Sequence, residues 1–301
     1  MSVSSYTSPL SLAQADQLKS CLAGAGFEFK DRAYALFSAK KGKLNVTVYE
    51  KGPKVLIQGK ETEDFVRFVL EPEVLGEARL GYEHIHDPEM FEPHFGIDES
   101  GKGDFFGPLV IAGVYTDASI TRSLMDAGVM DSKRIKSSAN IAKLAELIRS
   151  TPGVVSEVVS LGPERYNEMY GDFKNLNRLL AWGHARVIRS LSGKMPGCGR
   201  ALSDQFARKE VLERELARHG VAITLDQRTK GESDVAVAAA SILARERFIR
   251  WMQQSSEKSG VDIPMGAGAQ VVEAARKLVD GYGQEILPKV AKMHFKTAGE
   301  L

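Results

Sequence analysis

The sequence predicts an α/β protein built on a mixed β-sheet flanked by helices, preceded by a small α+β unit. Three observations carry this prediction. Strand-like and helix-like segments alternate from Pro93 onward, an amphipathic helix followed by short alternating strands precedes them, and a stretch of altered composition separates the two.

Residues 9–26 place Leu10, Leu12, Ala15, Leu18, Leu22 and Ala25 at helical spacing and finish on Gly24 and Gly26, the pattern of an amphipathic helix with a glycine stop. AYALFSA, KLNVTVYE and PKVLIQG follow as partly alternating runs separated by KKGK and KGP turns, which reads as an antiparallel meander. ETEDFVRFVLE closes the unit as a helix. From Leu70 to Pro93 the sequence EPEVLGEARLGYEHIHDPEMFEP is rich in acids and carries Pro72, Pro88 and Pro93, the character of a linker. The expected partition of the 301 residues is therefore 1–80, a linker at 81–92, and 93–301. In the last of these, HFGIDES, PLVIAGVYT and VVSEVVSL read as strands, with helices near 163–193. ALSDQF and VAITL are later strands on either side of the helical KEVLERELARHG. The Ala-rich DVAVAAASILARERFIRWM suits a helix packed closely on a sheet, and the chain ends in helical segments.

Composition excludes several classes. Hydrophobic residues are 43% and charged residues 26%, so the chain can bury a full core and disorder is not expected. No run approaches the ~20 apolar residues that span a bilayer, and MSVSSYTSPL lacks a basic start and an apolar signal core, which points to a cytoplasmic protein without a membrane partner. Cys21 and Cys198 are too few for a zinc cage or a disulfide framework. The net charge of +1 hides a basic block: residues 30–60 hold eight Lys or Arg against Asp31 and Glu50. Such a block can attract phosphate backbones, or it can be an ordinary solvated strand surface.

Phe95-Gly96-Ile97-Asp98-Glu99-Ser100-Gly101-Lys102-Gly103 places two acids where a buried strand meets a glycine-rich turn. An ionised carboxylate leaving water costs several kcal/mol unless it is paired or binds a cation, so acids at a strand end mark a candidate site. The alternative is that they merely start the turn. Asp204 closes the short apolar segment beginning at Ala201, and Glu232 opens the Ala-rich helix. If these four element ends converge, their hard oxygen donors favour Mg²⁺ or Mn²⁺ over zinc, and a pair of ions about 4 Å apart is the natural inference. Neighbours on a regular strand point to opposite faces, so Asp98 and Glu99 can share a site only if the strand ends, twists or bulges there. The glycines do not build a nucleotide loop: Gly101, Gly103 and Gly107 give G-x-G-x-x-x-G, one residue too long for the dinucleotide fingerprint.

On these residues the chain resembles a known family. GIDESGKGDFFGPLVIAGVY is similar to the opening motif of the bacterial type 2 and type 3 ribonucleases H, and its Ser-Gly-Lys-Gly form resembles type 3, ribonuclease HIII. Asp131-Ser132-Lys133, the helix from Asn175-Leu176-Asn177 to His184-Ala185, Asp204, and Lys230-Gly231-Glu232-Ser233 running into AAASILAR extend the resemblance over most of residues 93–301. It implies a ribonuclease H-like mixed sheet and cleavage of the RNA strand of RNA/DNA hybrids with Mg²⁺ or Mn²⁺, leaving 3′-hydroxyl and 5′-phosphate ends. The implied catalytic and metal-binding set is Asp98, Glu99, Asp204 and Glu232, with glutamate at 232 as in type 3, where type 2 has aspartate. The implied hybrid contacts are Ser100, Gly101, Lys102 and Gly103, joined by Lys133, which reads equally as a surface residue at a helix start. The resemblance also implies an N-terminal domain similar to half of a TATA-binding protein that grips substrate, in agreement with the helix, meander and helix of residues 9–70.

Other residues have plainer expectations. His94, His184 and His294 lack ligand spacing and read as core or surface residues. Asp234 is either a competing ligand or a helix cap. Lys289, Lys292 and Lys296 either line nucleic acid or solvate the last helix, and Trp182 and Trp251 read as core. A monomer is the default expectation. Two rival functions remain open on residues alone: another two-metal nuclease or strand-transfer enzyme on the same sheet, and a non-catalytic nucleic-acid-binding protein.

Overall fold

The structure, a computed structural model, describes residues 5–76, 88–129, 135, 137–229 and 231–301. The chain divides into two compact units, Met1–Pro88 and Glu89–Leu301, each with its own hydrophobic core. Among the described residues no helix is long and apolar enough to cross a membrane.

The first unit contains β1 (Ser5–Pro9), α1 (Leu12–Gly24), β2 (Glu28–Lys30), β3 (Ala35–Lys41), β4 (Leu44–Tyr49), β5 (Lys54–Gln58) and α2 (Thr62–Phe65). Its antiparallel sheet has the order β1-β5-β4-β3-β2. Ser11 starts α1 with a capping box: its hydroxyl accepts from Gln14 N while the Gln14 side chain accepts from Ser11 N. Leu18 and Leu22 of α1 pack with Val46, Val48, Val55 and Ile57 of the sheet. Two strands, β1 and β2, were absent from the sequence expectation. The closing helix also differs, since beyond α2 it runs as a π-helix over Val66–Leu75. Pro72 lies in that stretch, lacks an N–H and would crowd a carbonyl in a tighter α-turn.

A 3₁₀ turn, Pro88–Phe91, leads into the second unit, and its Met90 enters that unit's core. The rest of the expected linker, through Asp87, lies outside the described residues. β6 (His94–Ser100) and β7 (Leu109–Thr116) lead to α3 (Ala118–Asp126) and α4 (Ser138–Ser150), two helices not assigned from sequence. Then follow β8 (Val155–Leu161), α5 (Pro163–Phe173), α6 (Leu176–Lys194), β9 (Arg200–Asp204), α7 (Lys209–Arg218) and β10 (Thr224–Arg228). The strand expected at VAITL starts later, at Thr224. α8 (Val235–Ser259), α9 (Ala269–Tyr282) and α10 (Leu287–Val290) complete the chain with short 3₁₀ turns.

The sheet order is β10-β9-β6-β7-β8, with β6, β7 and β8 antiparallel and β6, β9 and β10 parallel, the mixed sheet expected. α8 packs on β6 and β7, and α6 packs on β6, β7 and β8 from the opposite face. Small residues set the approach of α8. A Cβ on Gly96 would lie 2.1 Å from the carbonyl carbon of Ala236, and Ala236, Ala239, Ala240 and Ala244 are all fully buried.

Candidate active site

β6 runs through the middle of the sheet, and its side chains alternate between the two helical layers. Gly96 faces α8, whereas Ile97 lies opposite Gly113, whose missing Cβ leaves room for Val187 and Leu191 of α6. The pairing of Asp98 with Ala112, Glu99 with Ile111 and Ser100 with Val110 is unbroken, so no bulge reorients the acids. The strand simply ends at Ser100. Asp98 lies on the α8 side and Glu99 on the α6 side, and both reach one cleft at the rim where the sheet stops.

Register brings in Asp204. β9 pairs parallel to β6 with Ile97 opposite Ser203, so Asp98 and Asp204 are the next residues along neighbouring strands, which lie about 4.8 Å apart. Asp204 Oδ1 accepts from Gly231 N at 2.9 Å, which holds the Gly231–Ser233 turn against the end of β9. The backbone of Glu232 sits in that turn; its side chain lies outside the described residues, as does Lys133.

The cleft has a volume of about 500 Å³ and is lined by Asp98, Glu99, Ser100, Gly101, Lys102, Gly103 and Asp204, together with Asp104, Ser241, Arg245, Phe248 and Met265. Among the described residues, no three His, Cys, Asp or Glu side chains close on one point as a preformed cage. The acids line an open rim instead, and their charges are felt there. Burial, with the neighbouring Glu99 and Asp204 charges, pushes Asp98 up to about 7, against the hydrogen bonds from Ser241 and Glu99 N. Burial also pushes Glu99 up, but His184 and then Lys102 outweigh it and hold the carboxyl below its ordinary value. Oxygen donors this crowded suit a hard divalent cation, which relieves their repulsion directly.

The glycine loop is locked from behind. Gly101 has φ of 87°, and a Cβ there would lie 2.1 Å from Pro108 O, so glycine is required. Asp104 Oδ1 accepts from Gly266 N, Phe105 N donates to Gly266 O, and Gly107 N donates to Val290 O. Lys292, expected either on nucleic acid or in solvent, does neither. It is fully buried, its Nζ donates to Asp104 O at 2.8 Å and Phe106 O at 3.1 Å, and burial lowers its pKa to about 7 against the Asp104 charge.

Five further residues either settle an open alternative, as Asp234 does, or were missed. Asp234 is the N-cap of α8, accepting from Ala236 N and Val237 N and pairing with the buried His94 Nε2 at 3.1 Å. His184 is buried in α6 and touches Glu99 at 3.1 Å. Ser241, Arg245 and Phe248 recur at helical spacing on one face of α8, and Ser241 and Arg245 are visible in the sequence as polar residues in and after an Ala-rich run.

Comparison with known proteins gives the family. The family model for Ribonuclease HII covers residues 95–298. Ribonuclease HIII of Chlamydia pneumoniae is 45% identical over 288 residues, 95% of this chain and 93% of that protein. The chain belongs to the ribonuclease HIII family. Ribonuclease HIII of Protochlamydia amoebophila is 42% identical over 97% of this chain and 95% of its own length. Among solved structures, that of Bst-RNase HIII in complex with Mn²⁺ aligns with a TM-score of 0.67 and 30% identity, covering 99% of this chain and 97% of that one. Membership of the ribonuclease HIII family makes the chain an endoribonuclease H, a hydrolase, on the ribonuclease H-like fold expected. Of the readings open on residues alone, the hydrolytic one stands.

Proposed function

We propose that the chain cuts the RNA strand of RNA/DNA hybrids in the cytoplasm, as a monomer, with two Mg²⁺ or Mn²⁺ ions held by Asp98, Glu99, Asp204 and Glu232. The observation that carries this reading is the pairing of β6 with β9, which sets Asp98 and Asp204 side by side at the sheet rim while Glu99 reaches the same cleft from the other face. The Mn²⁺ complex of Bst-RNase HIII supports the choice of metal. When bound, the ions supply a water nucleophile at neutral pH and neutralise charge on the scissile phosphate and leaving oxygen.

The remaining work belongs to the chain. Asp98 and Asp204 hold their carboxylates on adjacent strands, and Asp204 keeps one oxygen on Gly231 N, which ties the turn bearing Glu232 to the site. Ser100, Gly101, Lys102 and Gly103 line the cleft where the hybrid backbone would lie, and main-chain N–H groups of the glycine loop can sense the 2′-hydroxyl that separates RNA from DNA. Arg245 and Lys102 add positive charge toward a phosphate. Lys133 would join as a phosphate contact. Residues 1–80, with a linker at 81–92 and the catalytic domain at 93–301, would grip the hybrid as a half TATA-binding-protein-like domain. Lys30, Lys40 and Lys41 around one surface depression, with exposed Phe29 and Tyr34 nearby in the chain, support that role. Cleavage would leave a 3′-hydroxyl and a 5′-phosphate.

The test is end-labelled hybrid incubated with purified Asp98→Asn protein and each metal in turn. Cleavage should fall by roughly 1,000-fold or more, about 4 kcal/mol of barrier, while hybrid affinity stays within a few-fold. Cleavage near the wild-type rate would overturn the assignment.

A further inference from the structure

We infer that His184 is a positioning residue that aims Glu99 at the metal site and couples it to the strand carrying Asp204. The inference rests on the metal-binding reading of Glu99 given above.

His184 stands where a helix buries aliphatic side chains. Leu180, Ala185, Val187 and Ile188 around it in α6 are fully buried, and so is the imidazole itself. A polar ring in such a place is costly unless both nitrogens are satisfied. Both are. Nε2 lies 3.1 Å from Glu99 Oε2, and Nδ1 lies 3.1 Å from Ser203 Oγ. Glu99 is on β6, whereas Ser203 is on β9 and directly precedes Asp204. The ring face meets Phe206, just past the end of β9, with centroids 4.5 Å apart. One side chain from α6 thus braces the ends of both acid-bearing strands, on the sheet face opposite α8.

The direction of the bonds gives the brace a specific effect. A carboxylate only accepts, so Nε2–H donates to Glu99 Oε2 and occupies that oxygen. Glu99 Oε1 is left toward the cleft, with a long 3.4 Å contact from the half-exposed Lys102. His184 therefore selects which oxygen of Glu99 is offered to a cation and removes the rotational freedom that binding would otherwise have to freeze. Ser203 Oγ holds the far side of the ring from β9, so the imidazole itself closes the link between the two strands.

The test measures Mn²⁺ binding to the full chain without nucleic acid, by the electron paramagnetic resonance signal of free Mn²⁺. The comparison is between His184→Asn, whose amide nitrogen replaces Nδ1 and reaches only Ser203, and His184→Gln, whose amide nitrogen replaces Nε2 and reaches Glu99. His184→Asn should weaken Mn²⁺ binding about 10- to 100-fold, and His184→Gln should restore it to within a few-fold of wild type. A folded His184→Asn protein with wild-type affinity, or a His184→Gln protein as weak as His184→Asn, would overturn the inference. Should thermal melts show the substituted proteins unfolded, Ser203→Ala serves instead: a several-fold loss supports the brace, and unchanged affinity overturns it. Glu99→Gln separates the two levels of the argument. If it binds Mn²⁺ like wild type, the metal-site reading fails and takes this inference with it. If it loses Mn²⁺ while His184→Asn does not, only the positioning role fails.

Discussion

The two ends of β6 each carry a buried histidine–carboxylate pair, and the pairs differ in what the carboxylate has left to give. At the start of the strand, Asp234 is enclosed, and its oxygens accept from His94 Nε2, Ala236 N and Val237 N. At the other end, Glu99 accepts from His184 on one oxygen, and the second, 3.4 Å from Lys102 Nζ, lies toward an open cleft. Same chemistry and comparable burial, yet one acid finishes a helix and the other faces solvent space. The number of uncommitted lone pairs separates a structural acid from a functional one better than burial does.

The most forceful way to break this comparison is to remove each acid. Glu99→Gln should lower hybrid cleavage by roughly 100-fold or more with little change in melting temperature. Asp234→Ala should instead cost about 3 kcal/mol of stability, from the lost cap and the orphaned His94, while the folded fraction keeps its turnover. Denaturant melts alongside single-turnover assays decide this, and an Asp234→Ala protein that is stable but inactive would erase the distinction.

Protonation sharpens the same contrast. Burial, with the Glu99 charge beside it, pushes Asp98 from its ordinary 3.8 up to about 7, so without metal the folded state keeps a proton that the unfolded chain has released between those values. Stability of the metal-free protein should therefore fall as pH rises from about 4 to about 7, by on the order of 2 kcal/mol, and Asp98→Asn should flatten that slope. Metal affinity should run the other way, rising over the same range, because the ligand must be ionised. Urea titrations with and without Mn²⁺ check both signs.

The smallest effect belongs to His94. Burial opposes its protonation, but the hydrogen bond and charge of Asp234 outweigh that and raise its pKa. A raised histidine stabilises fully below the unfolded value of about 6.5 and loses that contribution as pH climbs through the folded value. His94→Gln should thus be destabilised most at mildly acidic pH, by about 1 kcal/mol, with the gap to wild type narrowing toward alkaline pH. A gap that widens instead would mean the pair is not ionic.

How much of this was legible in the sequence follows from range. Asp98, Glu99 and Asp204 were visible because an acid at the end of an apolar strand is anomalous by itself, and the alternation of strands and helices gave the mixed sheet. His184 was not visible as a partner of Glu99, since a buried histidine in an amphipathic helix has the same spacing whether it meets leucine or a carboxylate 85 residues away. Lys292 misled for a related reason: lysine near a helix end reads as solvated, and only the pairing of Phe106 with Ala291 swallows it. β1, with its polar SYTSP sequence, exists because β5 offers an edge to it, a fact no local pattern contains.

Lys292 has one more implication, for how the molecule is made. The carboxylates of β6 and β9 can come together once Asp204 and Arg228 have left the ribosome, but the glycine loop beside them rests on carbonyls that wait for an ammonium more than sixty residues later. A nascent chain at that stage has Asp98, Glu99 and Asp204, with Glu232 still to come and no floor beneath its loop. Synthesis order thus delays a complete cleft until the final segment docks.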